Sequence, residues 1–186
     1  HQNPADLSFF TFKLVRFSEI ETGGDPKWYF FPDQCRHCME PPCMSTAESL
    51  GSKAIARNEA TGAVVFNPKI KVKPADLKSI RESCPYDIPR WDERMGVMAK
   101  CTMCIDRIKN DRIPACVQSC TTSAMVFGDR SQILAKVEKR VLELKKSYPK
   151  AMAINQEDVR VIFIVTDDPQ KYWKYFCYFL NPSFFS

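Results

Sequence analysis

SCPYDIPRWDERMGVMAKCTMCIDRIKNDRIPACVQSC, residues 83–120, contains five of the nine cysteines in the chain. Cys84 stands apart from the other four and is followed by Pro85. Upstream, the segment CRHCMEPPC places three more cysteines at positions 35, 38 and 43. An odd total excludes a complete set of disulfides, and the C-x2-C spacing favours ligation of a metal or cluster over a disulfide scaffold. The metal or cluster that Cys84 helps to bind therefore decides which fold the sequence specifies.

The cysteine spacing is typical of ferredoxins that hold two [4Fe-4S] clusters. In their motif, C-x2-C-x2-C-x3-C-P, the fourth cysteine of each copy binds the other cluster. Here the first copy has Ala47 at its fourth position, and the second copy has Pro74, Leu77 and Ile80 before Cys84. One complete ligand set is lost and the other is retained. The pattern thus predicts one [4Fe-4S] cluster held by Cys35, Cys38, Cys43 and Cys84.

A second motif consists of Cys101, Cys104, Cys116 and Cys120. By the same logic its first three cysteines bind one cluster and Cys120 binds the partner cluster. The partner motif is missing from this sequence, which does not begin with methionine, so we expect it upstream of His1. If the chain were complete, these four cysteines would share one cluster or bind none stably. For the first set, zinc in a non-redox interaction module is the alternative.

Two other residues could be mistaken for ligands. His37 lies between two predicted ligands, and we expect it to have a loop or surface role rather than to bind metal. Cys177 lies among aromatic residues near the end of the sequence, and we expect it to pack in a core or interface.

Composition excludes several classes of protein. The chain has 186 residues, a formal charge of +5 and a hydrophobic content of 45%, and its mean hydropathy is −0.30. These values fit a globular protein with a core. The positive charges are spread out, so we expect no nucleic-acid partner. The longest uncharged run near the end is shorter than the roughly 20 apolar residues of a membrane span, so we predict none.

Periodicity predicts an α+β fold. We expect a strand over residues 9–20, a second apolar run over 27–35 that leads into the first cysteine group, and a hairpin over 53–68 with its turn at 58–62. A short helix is predicted over 73–83 and the clearest helix over 131–148. A buried strand over 158–168 and a helix starting at Pro169 complete a helix–strand–helix tail. The aromatic stripe of that last helix packs in a core or docks on a partner: Tyr172, Trp173, Tyr175, Phe176 and Phe179.

Several strings resemble those of the iron–sulfur subunits of molybdopterin oxidoreductases: CRHCMEPPC, CPYDIPR, and KCTMCIDRI and PACVQSC followed by AMVFGD. Within that group the chain is most similar to the β subunits of periplasmic tungsten- or molybdenum-containing formate dehydrogenases. The resemblance implies ferredoxin-like modules with three [4Fe-4S] clusters in the intact subunit and an N-terminal four-cysteine motif. Thr121 departs from the pattern, because a proline usually follows the last cysteine.

The resemblance also implies a function. Such a chain performs no catalysis and relays electrons from a large molybdopterin or tungstopterin catalytic subunit to a cytochrome or other acceptor. The alternative is the equivalent subunit of a sulfur or arsenic oxyanion reductase. Export with the large subunit favours the periplasm over the cytoplasm. We expect residues 1–87 to form the module with the complete site, 88–130 a second module, and 131–186 the tail.

The charges next to the cysteines predict how the protein tunes its clusters. A cluster with four thiolates is anionic, so Arg36 and Lys100 should favour its reduced form by Coulomb attraction. Arg107 and Arg112 flank the second motif.

Overall fold

The computed structural model describes residues 3–21 and 23–172. Over these residues the chain alternates short antiparallel hairpins with helices, in agreement with the predicted α+β class. The strands are β1 (Lys13–Ile20), β2 (Lys27–Gln34), β3 (Ile55–Arg57), β4 (Val64–Phe66), β5 (Arg90–Asp92), β6 (Val97–Ala99), β7 (Met152–Ile154) and β8 (Phe163–Val165). The helices are α1 (Pro42–Ser49), α2 (Pro74–Glu82), α3 (Ile105–Ile108), α4 (Ala115–Gln118) and α5 (Arg130–Lys145). In this part of the chain no helix is long and apolar enough to cross a lipid bilayer.

The hairpin β1–β2 leads the chain into the first cysteine group. Its register places Phe17 opposite Phe30 and Ser18 opposite Tyr29. Side chains alternate between the two faces of a strand, so Tyr29 and Phe31 are buried while Trp28 and Phe30 are exposed. Because Phe31 is almost completely buried, the end of β2 is fixed in the core. Cys35, one residue beyond the strand, therefore starts from a rigid position.

Helices α1 and α2 pack against each other in the main apolar core. A proline stands at the first position of each helix, where its missing amide hydrogen removes no helical hydrogen bond. Ala47 on α1 and Leu77 and Ile80 on α2 are 0%, 2% and 0% exposed. They share this core with Cys43 and Ile55. The packing fixes the beginning of α1 and the end of α2, where two predicted ligands lie.

Short hairpins complete this half of the molecule. The predicted hairpin over 53–68 is confirmed by the pairing of β3 with β4. The hairpin β5–β6, which pairs Trp91 with Met98, was not predicted. Gly96 closes its turn with a positive φ of 65°, a conformation that glycine adopts without steric cost. This hairpin carries Lys100 and Cys101 back toward the first cysteine group.

The tail differs from the predicted helix–strand–helix arrangement. Helix α5 is present, but two strands follow it, because β7 and β8 form a hairpin. Of the predicted strand 158–168, only Phe163–Val165 is a strand. The reason is that Val159 forms a bridge with Cys38 instead. After β8, Pro169–Lys171 forms a single turn of 3-10 helix. The rest of the predicted last helix, with most of its aromatic stripe and Cys177, lies outside the described residues.

Candidate metal centre

The structure brings four cysteines of the first set to one cavity. Cys35, Cys38, Cys43 and Cys84 all line it. Cys84 comes from beyond α2, a separate part of the sequence. Within residues 3–21 and 23–172, no three His, Cys, Asp or Glu side chains converge closely enough to hold a single metal ion. The four thiols are instead spaced around the cavity.

Different elements position the four thiols. Cys35 and Cys38 lie in the loop between β2 and α1, where His37 has a positive φ of 49°. Cys43 lies in the first turn of α1. Cys84 follows the last turn of α2, and its amide donates a hydrogen bond to the Arg81 carbonyl at 3.0 Å. The loop, the start of one helix and the end of another therefore converge.

The segment that follows Asn155 covers the cysteine loop from outside. The amide of Met39 donates a hydrogen bond to the Asp158 carbonyl at 2.7 Å, and the amide of Val161 donates one to the Arg36 carbonyl at 3.0 Å. Arg130 holds this segment from α5 through its bond to the Val159 carbonyl at 2.7 Å. These contacts explain why the predicted strand is interrupted, since its first half pairs with the cysteine loop.

Burial makes bare thiolates unfavourable in this cavity. It raises the pKa of Cys38 to about 12, with further contributions from the negative charges of Cys35 and Cys84. Burial also raises the pKa of Cys84 to about 11 and that of Cys43. Ligand thiolates must be deprotonated, so the site requires positive charge to hold them in that form. The iron of a four-thiolate cluster supplies such charge, and the donor set fits this cofactor.

Two buried cations also line the cavity, and they are the two that the sequence places next to cysteines. The Arg36 guanidinium stacks over the rings of Phe31, Tyr86 and Phe163, with centroid distances of 4.8, 4.9 and 4.7 Å. Lys100 is 4% exposed, and its Nζ donates hydrogen bonds to the carbonyls of Val64 and Cys101. Both positive charges are thus fixed beside the cavity.

Backbone amides donate hydrogen bonds to several sulfur atoms. The amide of His37 lies 3.3 Å from Cys35 Sγ, and the amide of Met103 lies 3.4 Å from Cys101 Sγ. The amides of Ile88 and Tyr86 also bond to Cys84 and lower the pKa of its thiol against the effect of burial. Hydrogen bonds to ligand sulfur are one of the main controls on a cluster's reduction potential.

Three of the four cysteines in the second group gather around Lys13. Burial lowers the pKa of this lysine, and the nearby charges of Cys116, Cys101 and Cys120 raise it. Lys13 Nζ also donates a hydrogen bond to Met125 Sδ at 3.1 Å. Sequence reasoning missed Lys13, because only the tertiary fold brings β1 to this motif. Cys104, at the start of α3, has a left-handed backbone.

Packed apolar side chains occupy positions of the lost ligand set. Ala47, Leu77 and Ile80 lie in the main core around Cys43, and Pro74 begins α2. Where a two-cluster motif would carry its second set of ligands, this chain therefore has packed apolar side chains.

His37 is buried rather than on the surface. Its exposure is 0%, and its Nδ1 accepts a hydrogen bond from the Val64 amide at 3.1 Å. Burial, Lys100 and Arg160 lower its pKa, so the ring is neutral. Its neighbours Cys35 and Cys38 line the cavity, whereas His37 itself does not. The expectation of a loop residue is confirmed and that of a surface role is wrong, because the ring anchors the cysteine loop to β4.

Comparison with known proteins agrees with this geometry. A family model described as a 4Fe-4S dicluster domain matches residues 26–130. The chain is 49% identical over 175 residues to the formate dehydrogenase subunit beta of Megalodesulfovibrio gigas, which covers 94% of this chain and 81% of that one. It is 42% identical over 177 residues to the formate dehydrogenase 2 subunit beta (cytochrome c-553) of Nitratidesulfovibrio vulgaris, with coverages of 94% and 81%.

A more distant relative has the same kind of name. The nitrate-inducible formate dehydrogenase iron–sulfur subunit of Escherichia coli is 35% identical over 178 residues, which span 92% of this chain and 58% of that one. The matched cluster domain and the extent of these similarities lead to one conclusion: the chain belongs to the family of formate dehydrogenase iron–sulfur (beta) subunits.

Proposed function

We propose that this chain relays electrons within a formate dehydrogenase complex and performs no bond chemistry itself. In this proposal Cys35, Cys38, Cys43 and Cys84 hold one [4Fe-4S] cluster. The second group, Cys101, Cys104, Cys116 and Cys120, supplies ligands for further cluster binding. A bound [4Fe-4S] cluster provides a centre that is reduced and oxidised by one electron.

The observation that carries the proposal is the position of Cys84. It lines the same cavity as Cys35, Cys38 and Cys43 although the hairpin β3–β4 and helix α2 separate it from them in sequence. Four thiols around one buried space match the ligand number of a [4Fe-4S] cluster. The cavity also has two fixed cations, Arg36 and Lys100, in its wall. Their charges offset the negative charge that four thiolates bring into a buried site.

The protein supplies position and electrostatics. The packing of α1 against α2 fixes Cys43 and Cys84, while the hairpin β1–β2 fixes Cys35. Buried side chains around the cavity exclude water, which strengthens the effect of each nearby charge. Lys100 bonds to the Cys101 carbonyl at 3.1 Å and also lines the first cavity. It therefore lies between the two cysteine groups.

The partners and the layout of the chain are part of the same proposal. A large pterin-containing catalytic subunit would deliver the electrons, as the beta-subunit names of the relatives suggest. A cytochrome would accept them, since one relative's name includes cytochrome c-553, and a periplasmic complex would follow. We assign residues 1–87 to a first ferredoxin-like module, 88–130 to a second module and 131–186 to a tail.

Iron and sulfide analysis of Cys84→Ala tests the proposal. The purified complex should lose iron from one site relative to the unsubstituted complex, and the EPR signal of one reduced cluster should disappear or change to that of a three-iron form. The matched control is Cys177→Ala, which removes a thiol outside both motifs and should leave iron, sulfide and EPR signals unchanged. Zinc in place of iron, or full retention of iron and sulfide in Cys84→Ala, would refute the proposal.

A further inference from the structure

Tyr86 lines the cavity of the first cysteine group, and its hydroxyl lacks a hydrogen-bond partner. Tyr86 is 2% exposed and lines the cavity together with the four cysteines. Its oxygen is buried, and among residues 3–21 and 23–172 nothing accepts or donates a hydrogen bond to it. A buried hydroxyl without a partner costs free energy, so native proteins nearly always satisfy it. A group bound in the cavity would therefore supply the missing hydrogen-bond partner.

The ring of Tyr86 has no freedom to turn its hydroxyl toward solvent. One face stacks on the Arg36 guanidinium, whose carbon lies 4.9 Å from the ring centroid. The ring also packs in a core cluster with Leu14, Cys35 and Val159. Pro85 precedes it and restricts the backbone. The hydroxyl is consequently held in a fixed place.

Two of the proposed cluster ligands pack beside Tyr86. Cys38 and Cys84 lie against the core cluster that contains the Tyr86 ring, and both line the cavity that Tyr86 also lines. A phenol hydroxyl carries one proton and can donate it in a hydrogen bond.

We propose that the Tyr86 hydroxyl donates a hydrogen bond to sulfur of the cluster held by Cys35, Cys38, Cys43 and Cys84, and so raises its reduction potential. The inference rests on the proposed function. The physical reason is that the reduced cluster carries one more negative charge than the oxidised cluster, so a donor stabilises it more. Tyr86 acts as a positioning residue that tunes the centre and is not itself a ligand.

Tyr86→Phe tests this inference, because it removes the hydroxyl and keeps the ring that packs on Arg36. In the purified complex, iron and sulfide contents should match those of the unsubstituted protein. An EPR-monitored redox titration should show that the potential of one cluster falls. A tenfold change in the ratio of reduced to oxidised cluster corresponds to about 59 mV for a one-electron couple, and we expect a shift of that order.

The matched control is Tyr29→Phe. The Tyr29 hydroxyl donates a hydrogen bond to Asp167 Oδ2 at 2.8 Å, and Tyr29 is not among the residues that line the cavity. This variant also loses one buried-ring hydroxyl, but it should leave every cluster potential unchanged. A second measurement separates hydrogen bonding from a packing effect. Electron–nuclear double resonance of the reduced cluster, before and after exchange into D₂O, should show one exchangeable proton fewer in Tyr86→Phe alone.

The outcomes separate this inference from the proposed function. If the unsubstituted complex contains no iron and sulfide at this site, the proposed function fails and the inference fails with it. If the cluster is present and Tyr86→Phe has the unsubstituted potential and the full set of exchangeable protons, only the inference is refuted. A lowered potential together with the lost proton supports both.

Discussion

Cys101 and Cys35 lie close together although they belong to different cysteine groups. Cys101 packs against the core cluster that contains Cys35. Burial, and after it the charge of Cys35, raises the pKa of the Cys101 thiol to about 11. The two groups therefore adjoin in the fold. In the proposed function, an electron that reaches one cluster therefore has a neighbouring cluster site within the same chain.

Replacement of Lys100 by methionine should lower the potential of the cluster in the first cavity. The variant removes a buried positive charge from the cavity wall, and the reduced form depends on that charge more than the oxidised form does. We expect the reduction potential to fall by an amount on the order of 60 mV, which corresponds to a tenfold change in the ratio of reduced to oxidised cluster. An EPR-monitored redox titration of the purified complex measures it.

Lys78→Met is the control for Lys100→Met. The side chain of Lys78 is 74% exposed on α2, so solvent screens its charge. Its loss should leave the potential unchanged. An unchanged or higher potential in Lys100→Met would contradict the expected role of the buried lysine.

Lys13→Met should affect the second cysteine group. This lysine lies near the charges of Cys116, Cys101 and Cys120, so its loss should lower the potential of the cluster that these thiols help to hold. The same titration should show a shift in a different EPR signal from the one that Lys100→Met changes most. Lys27→Met, at the exposed far end of the same hairpin, is the control. Equal shifts in Lys13→Met and Lys27→Met would rule out a specific role for Lys13.

Ile80→Ala should destabilise the protein strongly. Ile80 is completely buried and packs in the main core with Leu77 and Ala47. Removing a buried isoleucine side chain typically lowers the free energy of unfolding by about 2–5 kcal/mol. Urea unfolding followed by circular dichroism measures the loss. The control is Leu142→Ala on α5, where the leucine is 68% exposed. It should change the free energy of unfolding by less than about 0.5 kcal/mol. An equally small effect of Ile80→Ala would contradict the prediction.

Asp167 should make the stability of the tail depend on pH. Lys171 Nζ donates a hydrogen bond to Asp167 Oδ2 at 2.9 Å. This bond is the largest cause that lowers the pKa of Asp167 below the ordinary 3.8, and the hydrogen bonds from the Asp168 amide and the Tyr29 hydroxyl lower it further. The folded pKa is thus below the unfolded pKa. The stabilisation is complete above about pH 4 and is lost as pH falls through the folded value.

Asp167→Asn tests this pH dependence. At pH 6 its melting temperature should be a few degrees below that of the unsubstituted protein, and the difference should shrink as pH falls below 4. Asp25→Asn, which changes an exposed carboxylate in the loop after β1, should melt like the unsubstituted protein at both pH values. A difference for Asp167→Asn that stays constant from pH 6 to pH 3 would be inconsistent with a carboxylate paired in the folded state.

Local patterns predicted much of the fold and the convergence of Cys84 with Cys35, Cys38 and Cys43, which line one cavity. The helices at Pro74–Glu82 and Arg130–Lys145 and the hairpin β3–β4 follow the predicted ranges closely, because periodicity and turn residues act over a few positions. The predicted strand over 158–168 failed for the opposite reason. Val159 pairs with Cys38, a distant contact that no local pattern reveals.

By itself, the sequence predicted that Cys84 belongs with Cys35, Cys38 and Cys43, because the absence of one complete set of motif cysteines can be read from residue identity alone; in the structure these four cysteines line one cavity. Only the tertiary structure decided which groups surround those thiols. Lys13, Tyr86 and the segment after Asn155 reach the two cysteine groups through chain reversals. Charge, burial and hydrogen bonding act through space, so these controls on a redox centre follow from folding and not from position along the chain.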